Sequence, residues 1–430
     1  RLTLPSLYTD MEKFIVFNLK IVEISLKHGN APESAMGYSF LAMYYCGIIN
    51  DYKTGDEIGR FFIELTEKFG LSRFISEAYS IYAHLIAPWS RSFREIEEIS
   101  NRGISAALQS GTIVCAIDFS AHILNEAIAT GCEIPVIINK FDEVIQLSSL
   151  FKRNHMFNVF NYIKDMLKVV LITGDTENNS LINNAIYKSI GGNNLIFFYL
   201  SSCHIEPYFI TGDFRKAEKY INNCISSSAY AMAATRNVDV VLYHSLILMM
   251  KENLTDGELS ILKEYRIRLK RWGESSPENF ICKYLLFEAE FARFEKRYFD
   301  AQKLYDNTIE LADKHGFTHI SAIASEYACR FWLENNKADF AMIYFRKSYN
   351  GFSKWGASHK IKLLVSEFSK KIKLSGFLEY TTFLHSEGKD DPFLSSLVEI
   401  NKIITEQGDV GRLMKRLSAI ILNHIPSTAL

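Results

Sequence analysis

The chain has 430 residues, with 48 Lys and Arg against 49 Asp and Glu. A single compact core stops growing at roughly 250 to 300 residues, so this length predicts several domains or an array of repeats. The balanced charge, without a long block of either sign, argues against binding to nucleic acid or to an anionic membrane. The seven cysteines are scattered, without a Cys-x-x-Cys pair, which is typical of buried thiols in a reducing, cytoplasmic compartment.

Residues that commonly end helices recur along the chain at intervals of about 40 residues. Each interval contains two amphipathic segments and an internal turn, from Asn50-Asp51 in the first to Asn335-Asn336 in the last. Such a period predicts an all-α fold, namely an open α-α superhelical solenoid of two-helix repeats in which each repeat packs only against its neighbours. The helix-ending residues are Gly29, Gly70, Gly111, Asn154, Gly191-Gly192, Asn237, Gly273, Gly316 and Gly356.

Three of the repeats carry a further packing pattern. In one of them, Ala289 is followed by Tyr298, Ala301 and Tyr305. These offsets are typical of tetratricopeptide repeats, in which a small residue on each helix permits a close crossing. We expect these residues and their equivalents in the other repeats to be structural. The equivalents are Phe214, Ala217, Ala341 and Phe345.

The chain is rich in aromatic residues, at 13%. In a repeat array such side chains commonly fill the contacts between repeats. Trp89, Trp272 and Trp355 lie at predicted turns or helix ends. We expect their large rings to pin the chain to the neighbouring helix.

The repeat pattern changes after Gly356. We expect the array to occupy residues 1–373, an interdomain linker residues 374–392, and the helical start of a second, truncated module residues 393–430. Within that module, apolar residues recur at Leu397, Ile400 and Ile404, a spacing that would suit a homodimer through the C-terminal helices, although one heptad is short for a coiled coil. Because the chain begins at Arg1, we interpret it as a fragment of a longer protein.

The common catalytic motifs are absent from the sequence. There is no phosphate-binding Gly-x-x-x-x-Gly-Lys-Ser/Thr loop, no His-Glu-x-x-His pair and no Gly-x-Ser-x-Gly elbow. The longest apolar runs are too short to span a membrane. We therefore expect a protein that is not an enzyme, binds no metal and needs no cofactor.

Five charged residues are candidates for binding a partner. In a solenoid of this kind the first helix of each repeat lines the concave side, and the repeat register places these residues toward it. A solvated helix face is the more common explanation for such charges. The candidates are Glu206, Glu290, Arg293, Glu326 and Arg330.

Several segments resemble one protein family in their amino-acid residues as well as in their spacing. The most specific are Arg271-Trp272-Gly273, Pro277-Glu278-Asn279-Phe280 and Lys354-Trp355-Gly356, with residues 283–290 between them. They resemble large multidomain signalling proteins in which a serine/threonine kinase domain, a STAND-type AAA ATPase, a tetratricopeptide-like array, a GAF domain and usually a sensor histidine kinase follow one another. The resemblance implies that residues 393–430 begin a GAF domain. It transfers no catalytic residue to this chain.

The resemblance also implies a function. The chain would be a noncatalytic protein-interaction and regulatory module, whose partners are the ATPase upstream and the GAF or kinase domains downstream. The alternative is a sensing arm that binds a small-molecule effector, which would need a pocket with a few convergent polar groups. An enzyme would need a cleft with perturbed titratable groups, and no spacing in the sequence indicates one.

Overall fold

The computed structural model describes residues 11–372, except residues 71, 151–153, 175–185, 187–191 and 252. Over these residues the protein is all-α, as predicted, with 17 α-helices and no β-strand. None of the described helices is both long enough and apolar enough to cross a membrane. The helices are α1 (Met11–His28), α2 (Ser34–Tyr44), α3 (Tyr52–Lys68), α4 (Ser72–Ile81), α5 (Phe93–Gln109), α6 (Ile113–Ala129), α7 (Ile134–Leu150), α8 (Asn154–Leu167), α9 (Asn194–Ile210), α10 (Phe214–Ser227), α11 (Arg236–Leu248), α12 (Asp256–Ser275), α13 (Pro277–Phe294), α14 (Tyr298–His315), α15 (Thr318–Glu334), α16 (Ala338–Trp355) and α17 (Ser358–Phe368).

Contacts divide the chain into two units, Arg1–Leu364 and Val365–Leu430, with the division inside α17. All the contacts described below lie within the first unit. The predicted boundaries of the linker and of the second module, and the apolar residues predicted to form a dimer contact, lie outside the described residues.

The predicted turns separate the helices, and capping side chains explain where several helices begin. Asp51 and Asp213 precede α3 and α10, and each carboxylate accepts a hydrogen bond from a first-turn N–H, at 3.0 and 3.1 Å. Thr255 and Glu258 form a capping box at the start of α12. Such side chains satisfy N–H groups that have no partner inside the helix.

Three of the residues predicted to end helices do not end them. Asn154 begins α8, and Asn237 lies inside α11, where its side chain donates to the carbonyls of Ala231 and Ala234. Gly273 lies inside α12, where a Cβ would come within 3.3 Å of side-chain atoms of α13, so its role is close helix packing. Other predicted ends are correct: Gly316 and Gly356 are left-handed C-caps, with φ of 83° and 90°.

Helices pack mainly on their neighbours in sequence, as in the pairs α13–α14 and α15–α16, and also on helices two positions away, as in α13–α15. Most of the residues with tetratricopeptide spacing are buried at these contacts: Ala217, Ala289, Ala301, Tyr305, Ala341 and Phe345. Phe214 and Tyr298 are different, because 37% and 47% of their surfaces stay exposed. The ring of Phe214 packs on that of Phe209, with centroids 5.5 Å apart, and the ring of Tyr298 packs on that of Phe331, with centroids 6.1 Å apart.

A second set of contacts joins parts of the chain that are far apart in sequence. Hydrogen bonds connect residues 88–93 to residues 275–279, at separations of 185 to 191 residues. Residues 129–132 are bonded in the same way to Lys283 and Trp355. We call this contact the seam, with residues 86–94 and 129–135 on its first side and residues 275–283, 314–319 and 355–356 on its second side. The expectation that each repeat contacts only its neighbours is therefore wrong.

Candidate functional site: the polar seam

Asn279 is the most connected residue of the seam. It lies in the first turn of α13, is 1% exposed, and donates through Nδ2 to the carbonyls of Pro88 and Arg91, at 2.9 and 2.8 Å. Its Oδ1 accepts the N–H of Phe93 at 2.9 Å. Phe93 is the first residue of α5, and the N–H groups of a first turn have no partner inside their own helix. One side chain therefore caps a helix that begins 186 residues earlier in the sequence.

Other bonds of the seam also run from a side chain to the main chain of a turn. Ser275 Oγ donates to the carbonyl of Trp89, and Ser276 Oγ donates to that of Arg91 at 3.3 Å. The indole N–H of Trp355 donates to the carbonyl of Cys132 at 3.1 Å. Each of these carbonyl acceptors has a fixed position in its turn. The bonds therefore determine which turns of the chain contact each other.

Trp89 forms the apolar part of the seam. Its ring is 2% exposed and packs against Tyr52, Trp272 and Phe280, with ring centroids 5.5 to 5.8 Å apart. Its indole N–H donates to the carbonyl of Ala233 at 3.0 Å. The prediction that this tryptophan pins the chain is correct, but it does so mainly across the seam rather than on the neighbouring helix.

A buried ionic network lies beside the seam. Asp239 accepts from Lys283 Nζ at 2.6 Å and from Arg236 at 2.8 Å. Lys283 also donates to the carbonyl of Ala129 at 3.0 Å, which connects the network to the first side of the seam. All three charged side chains are at most 6% exposed. Buried charges require partners of this kind, since leaving one unpaired is strongly unfavourable.

Glu206, a candidate for partner binding, belongs to the same interior. Tyr243 donates to its carboxylate at 2.7 Å, and His319 Nε2 lies 3.4 Å from it. Burial raises the pKa of Glu206 to about 7, and burial also holds the pKa of His319 well below its usual range. His319 is therefore neutral at pH 7, and its contact with Glu206 is a neutral or ion–dipole contact rather than a salt bridge.

The other four candidates for partner binding form two intramolecular pairs. Glu290 accepts from Arg293 at 2.8 Å and also from Tyr305. Glu326 accepts from Arg330 and, at 2.7 Å, from Lys360. Glu290 and Glu326 are buried, and the two arginines are partly buried. The carboxylates of Glu290 and Glu326 therefore bind within the protein rather than facing solvent.

A small polar cavity lies behind the first side of the seam. It has a volume of about 20 Å³ and is lined by residues including His84, His122, Glu126, Tyr199 and Arg236. Burial lowers the pKa of both histidines to about 3 and raises that of Glu126 to about 8. These groups are therefore mainly neutral at pH 7. The space is enough for one water molecule but not for a substrate.

No cluster suited to a metal ion is found in the described part of the chain: no three or more His, Cys, Asp and Glu residues there have the required arrangement.

A larger cleft of about 230 Å³ opens along the seam itself. The cleft is lined from the first side by Ser92, Phe93, Arg94 and Thr130, and from the second side by Glu278, Asn279, Lys314, His315 and Phe317. The sequence analysis missed this cleft, because its two sides come from segments that no local pattern connects. The only available signal was that residues 277–280 belong to the most specific part of the family resemblance.

Comparison with known proteins adds no assignment: no family model matches the chain, and no curated protein matches it.

Proposed function

We propose that the chain is a noncatalytic protein-interaction and regulatory module, a tetratricopeptide-like solenoid with repeats of about 40 residues, in which distant repeats also contact each other across the seam. It would relay between a STAND ATPase and GAF or sensor kinase modules of a multidomain signalling protein. The observation that carries this proposal is the seam, which joins distant turns mainly by hydrogen bonds from side chains to the main chain. Contacts of this polar kind are typical of interfaces between parts that move relative to one another.

In the proposed mechanism the module has two states, one with the seam closed, as described above, and one with the seam open. Each hydrogen bond contributes about 1 kcal/mol net, so closing the seam is worth several kcal/mol. A partner that binds only one state stabilises that state by about 2.7 kcal/mol when its free concentration is about one hundred times its dissociation constant, and by about 4 kcal/mol at about one thousand times. The partner must bind one state more tightly than the other, since equal binding shifts nothing.

The chemistry of the interior supports a noncatalytic role. The cluster with the strongest pKa shifts, around His84, His122 and Glu126, surrounds a cavity that holds at most one water molecule. The network around Asp239 is fully paired inside the protein. Neither cluster offers a substrate access to a reactive group, which general acid–base catalysis requires.

The experiment compares Asn279→Ala with Asn18→Ala. Both side chains are buried, at 1% and 2% exposure, but among the described residues the Asn18 side chain bonds only to the carbonyl of Phe14, four residues away. Asn279→Ala should open the seam and speed amide exchange at Phe93, whose N–H loses its acceptor. Asn18→Ala should leave that exchange rate unchanged.

The same variants test regulation. Added to the isolated ATPase domain of the parent protein, the wild-type chain and Asn18→Ala should inhibit ATP turnover, and Asn279→Ala should inhibit it less. Absence of inhibition by the wild-type chain would contradict the regulatory role. ATP hydrolysis by the chain alone would contradict the noncatalytic role.

A second candidate function is a sensing arm for a small-molecule effector. It is favoured by the cleft of about 230 Å³, which has both sides of the seam in its wall. A ligand there would bind only while the seam is closed.

Two further features stay predictions: dimerisation through Leu397, Ile400 and Ile404, and a cytoplasmic location. Light scattering with and without residues 392–430 tests the dimerisation.

A further inference from the structure

We infer that the cleft along the seam binds a small dianion, either a phosphate group or a dicarboxylate. The inference deepens the proposed function, on which its regulatory consequence rests, whereas binding can be measured independently. The volume of about 230 Å³ is below the roughly 300 to 1,000 Å³ of pockets for drug-sized ligands, so the cleft suits a small ligand.

The charge of the lining favours an anion. Arg94 comes from the start of α5, and Lys314 and His315 come from the end of α14 on the opposite side. Glu278 is the single carboxylate among the lining residues. Guanidinium and ammonium groups donate charge-assisted hydrogen bonds, and an imidazole donates at least one in either tautomer. Cations therefore approach the cleft from both sides of the seam.

These cations are available for a ligand, unlike others nearby. Neither Arg94 nor Lys314 forms an ion pair with any described residue. By contrast, Arg91 is held by Asp56 at 3.0 Å, and Lys283 is held by Asp239 at 2.6 Å. A ligand anion would give the two unpaired cations the counter-charge that the protein provides elsewhere.

The main chain adds a donor at the same place. In the first turn of α5, Asn279 accepts the N–H of Phe93, and the N-cap Ser92 accepts that of Glu95 at 3.3 Å. The N–H of Arg94, between them, has no acceptor among the described residues. The positive end of the α5 helix dipole therefore meets the cleft with a donor that an anion can use.

An anion in the cleft would contact both sides of the seam at once. Ser92, Arg94 and Thr130 belong to the first side, and Lys314 and His315 to the second. These contacts exist together only while the seam is closed, so the anion binds the closed state more tightly and stabilises it. This is the differential binding that an effector of a two-state module requires.

The test uses the full chain with inorganic phosphate and, separately, malonate, each against sodium chloride at equal ionic strength. We expect one or both to raise the melting temperature in a saturable way and to slow amide exchange at residues 92–94 and 314–317. A response to phosphate alone identifies a phosphate site, and a response to malonate alone identifies a carboxylate site. A response equal to that of chloride would overturn the inference.

Matched variants locate the effect. Arg94→Gln and Lys314→Gln should each weaken binding by roughly tenfold or more, because each removes a charge-assisted hydrogen bond. Arg102→Gln on α5 and Lys303→Gln on α14 remove exposed charges of the same helices outside the cleft and should leave affinity within about twofold. Equal affinity in all four variants, or equal loss in all four, would show that the cleft is not the site.

Anion binding is measured on the chain alone, without the ATPase domain, so a failure of anion binding and a failure of the proposed function are separate results.

Discussion

Substitution of Gly131 tests the seam most directly, because Gly111, after the preceding helix, provides a matched glycine. Gly131 and Gly111 both follow helices in the left-handed conformation, with φ of 71° and 68°. A Cβ added to Gly111 would meet nothing within 4 Å, whereas one added to Gly131 would overlap the ring of His319 across the seam. The two alanine variants share the backbone strain and differ in the steric clash.

The expected loss in the free energy of unfolding is the sum of the backbone strain and the steric clash. An alanine in the left-handed region costs about 1 to 2 kcal/mol, which is the whole effect expected for Gly111→Ala. Overpacking of a filled site costs a further 1 to 3 kcal/mol or so. His319 cannot easily give way, because its ring lies 5.7 Å from that of Trp355 and 3.4 Å from the carboxylate of Glu206. We therefore expect Gly131→Ala to cost about 2 to 5 kcal/mol in total.

The assay is urea denaturation followed by circular dichroism, with the slope compared among wild type and both variants. Since a long helical array does not always unfold in one step, amide exchange at residues 315–320 gives a local readout. Exchange there should rise in Gly131→Ala and stay unchanged in Gly111→Ala. Equal destabilisation by the two substitutions, with no local change, would refute the close contact between Gly131 and His319.

Two further predictions concern the buried charges. The raised pKa of Glu126, about 8, means that the stability this carboxyl contributes is complete below pH 4.5 and is lost as the pH rises through 8. The lowered pKa values of His84 and His122 act in the opposite direction, but only below pH 6.5. Between pH 6.5 and 8 the free energy of unfolding of the wild type should therefore fall by about 1 kcal/mol relative to that of Glu126→Gln. Parallel pH profiles of the melting temperature for the two proteins would contradict this. Lys283→Met should cost about 3 to 5 kcal/mol, because Asp239 and the carbonyl of Ala129 each lose a buried donor. The exposed control Lys270→Met should change stability by less than about 0.5 kcal/mol, and an equally small change in Lys283→Met would contradict a stabilising role of the network.

Local signals in the sequence were sufficient to predict the helices and most of the turns. Gly316 and Gly356 end helices because only glycine adopts the left-handed cap without strain, and that preference is visible in the sequence. Asn237 and Gly273 have the same residue types but serve different contacts, a local carbonyl pair and a close helix crossing. The type of residue could not distinguish these roles. The apparent period therefore included positions that do not end helices.

The seam could not be predicted, because its partners lie about 185 residues apart and share no local pattern. The same limit explains the candidate binding residues. The register identified Glu206 as a first-helix charge, but only the three-dimensional contacts show that Tyr243 covers it. Whether a charged residue at a given position of the repeat pattern is exposed or buried depends on the distant segment that packs against it.

The ionic network suggests why buried charges are present at a contact that apolar side chains could also fill. Replacing a buried ion pair by well-packed apolar residues is often neutral or stabilising, so stability alone does not account for Arg236, Asp239 and Lys283. Apolar surfaces tolerate sliding, whereas a carboxylate held at 2.6 and 2.8 Å by two cations has one favourable position. Lys283 extends that position to the carbonyl of Ala129 across the seam. The network therefore fixes the register in which distant turns meet, and the proposed closing and reopening of the module would require that register to be the same each time.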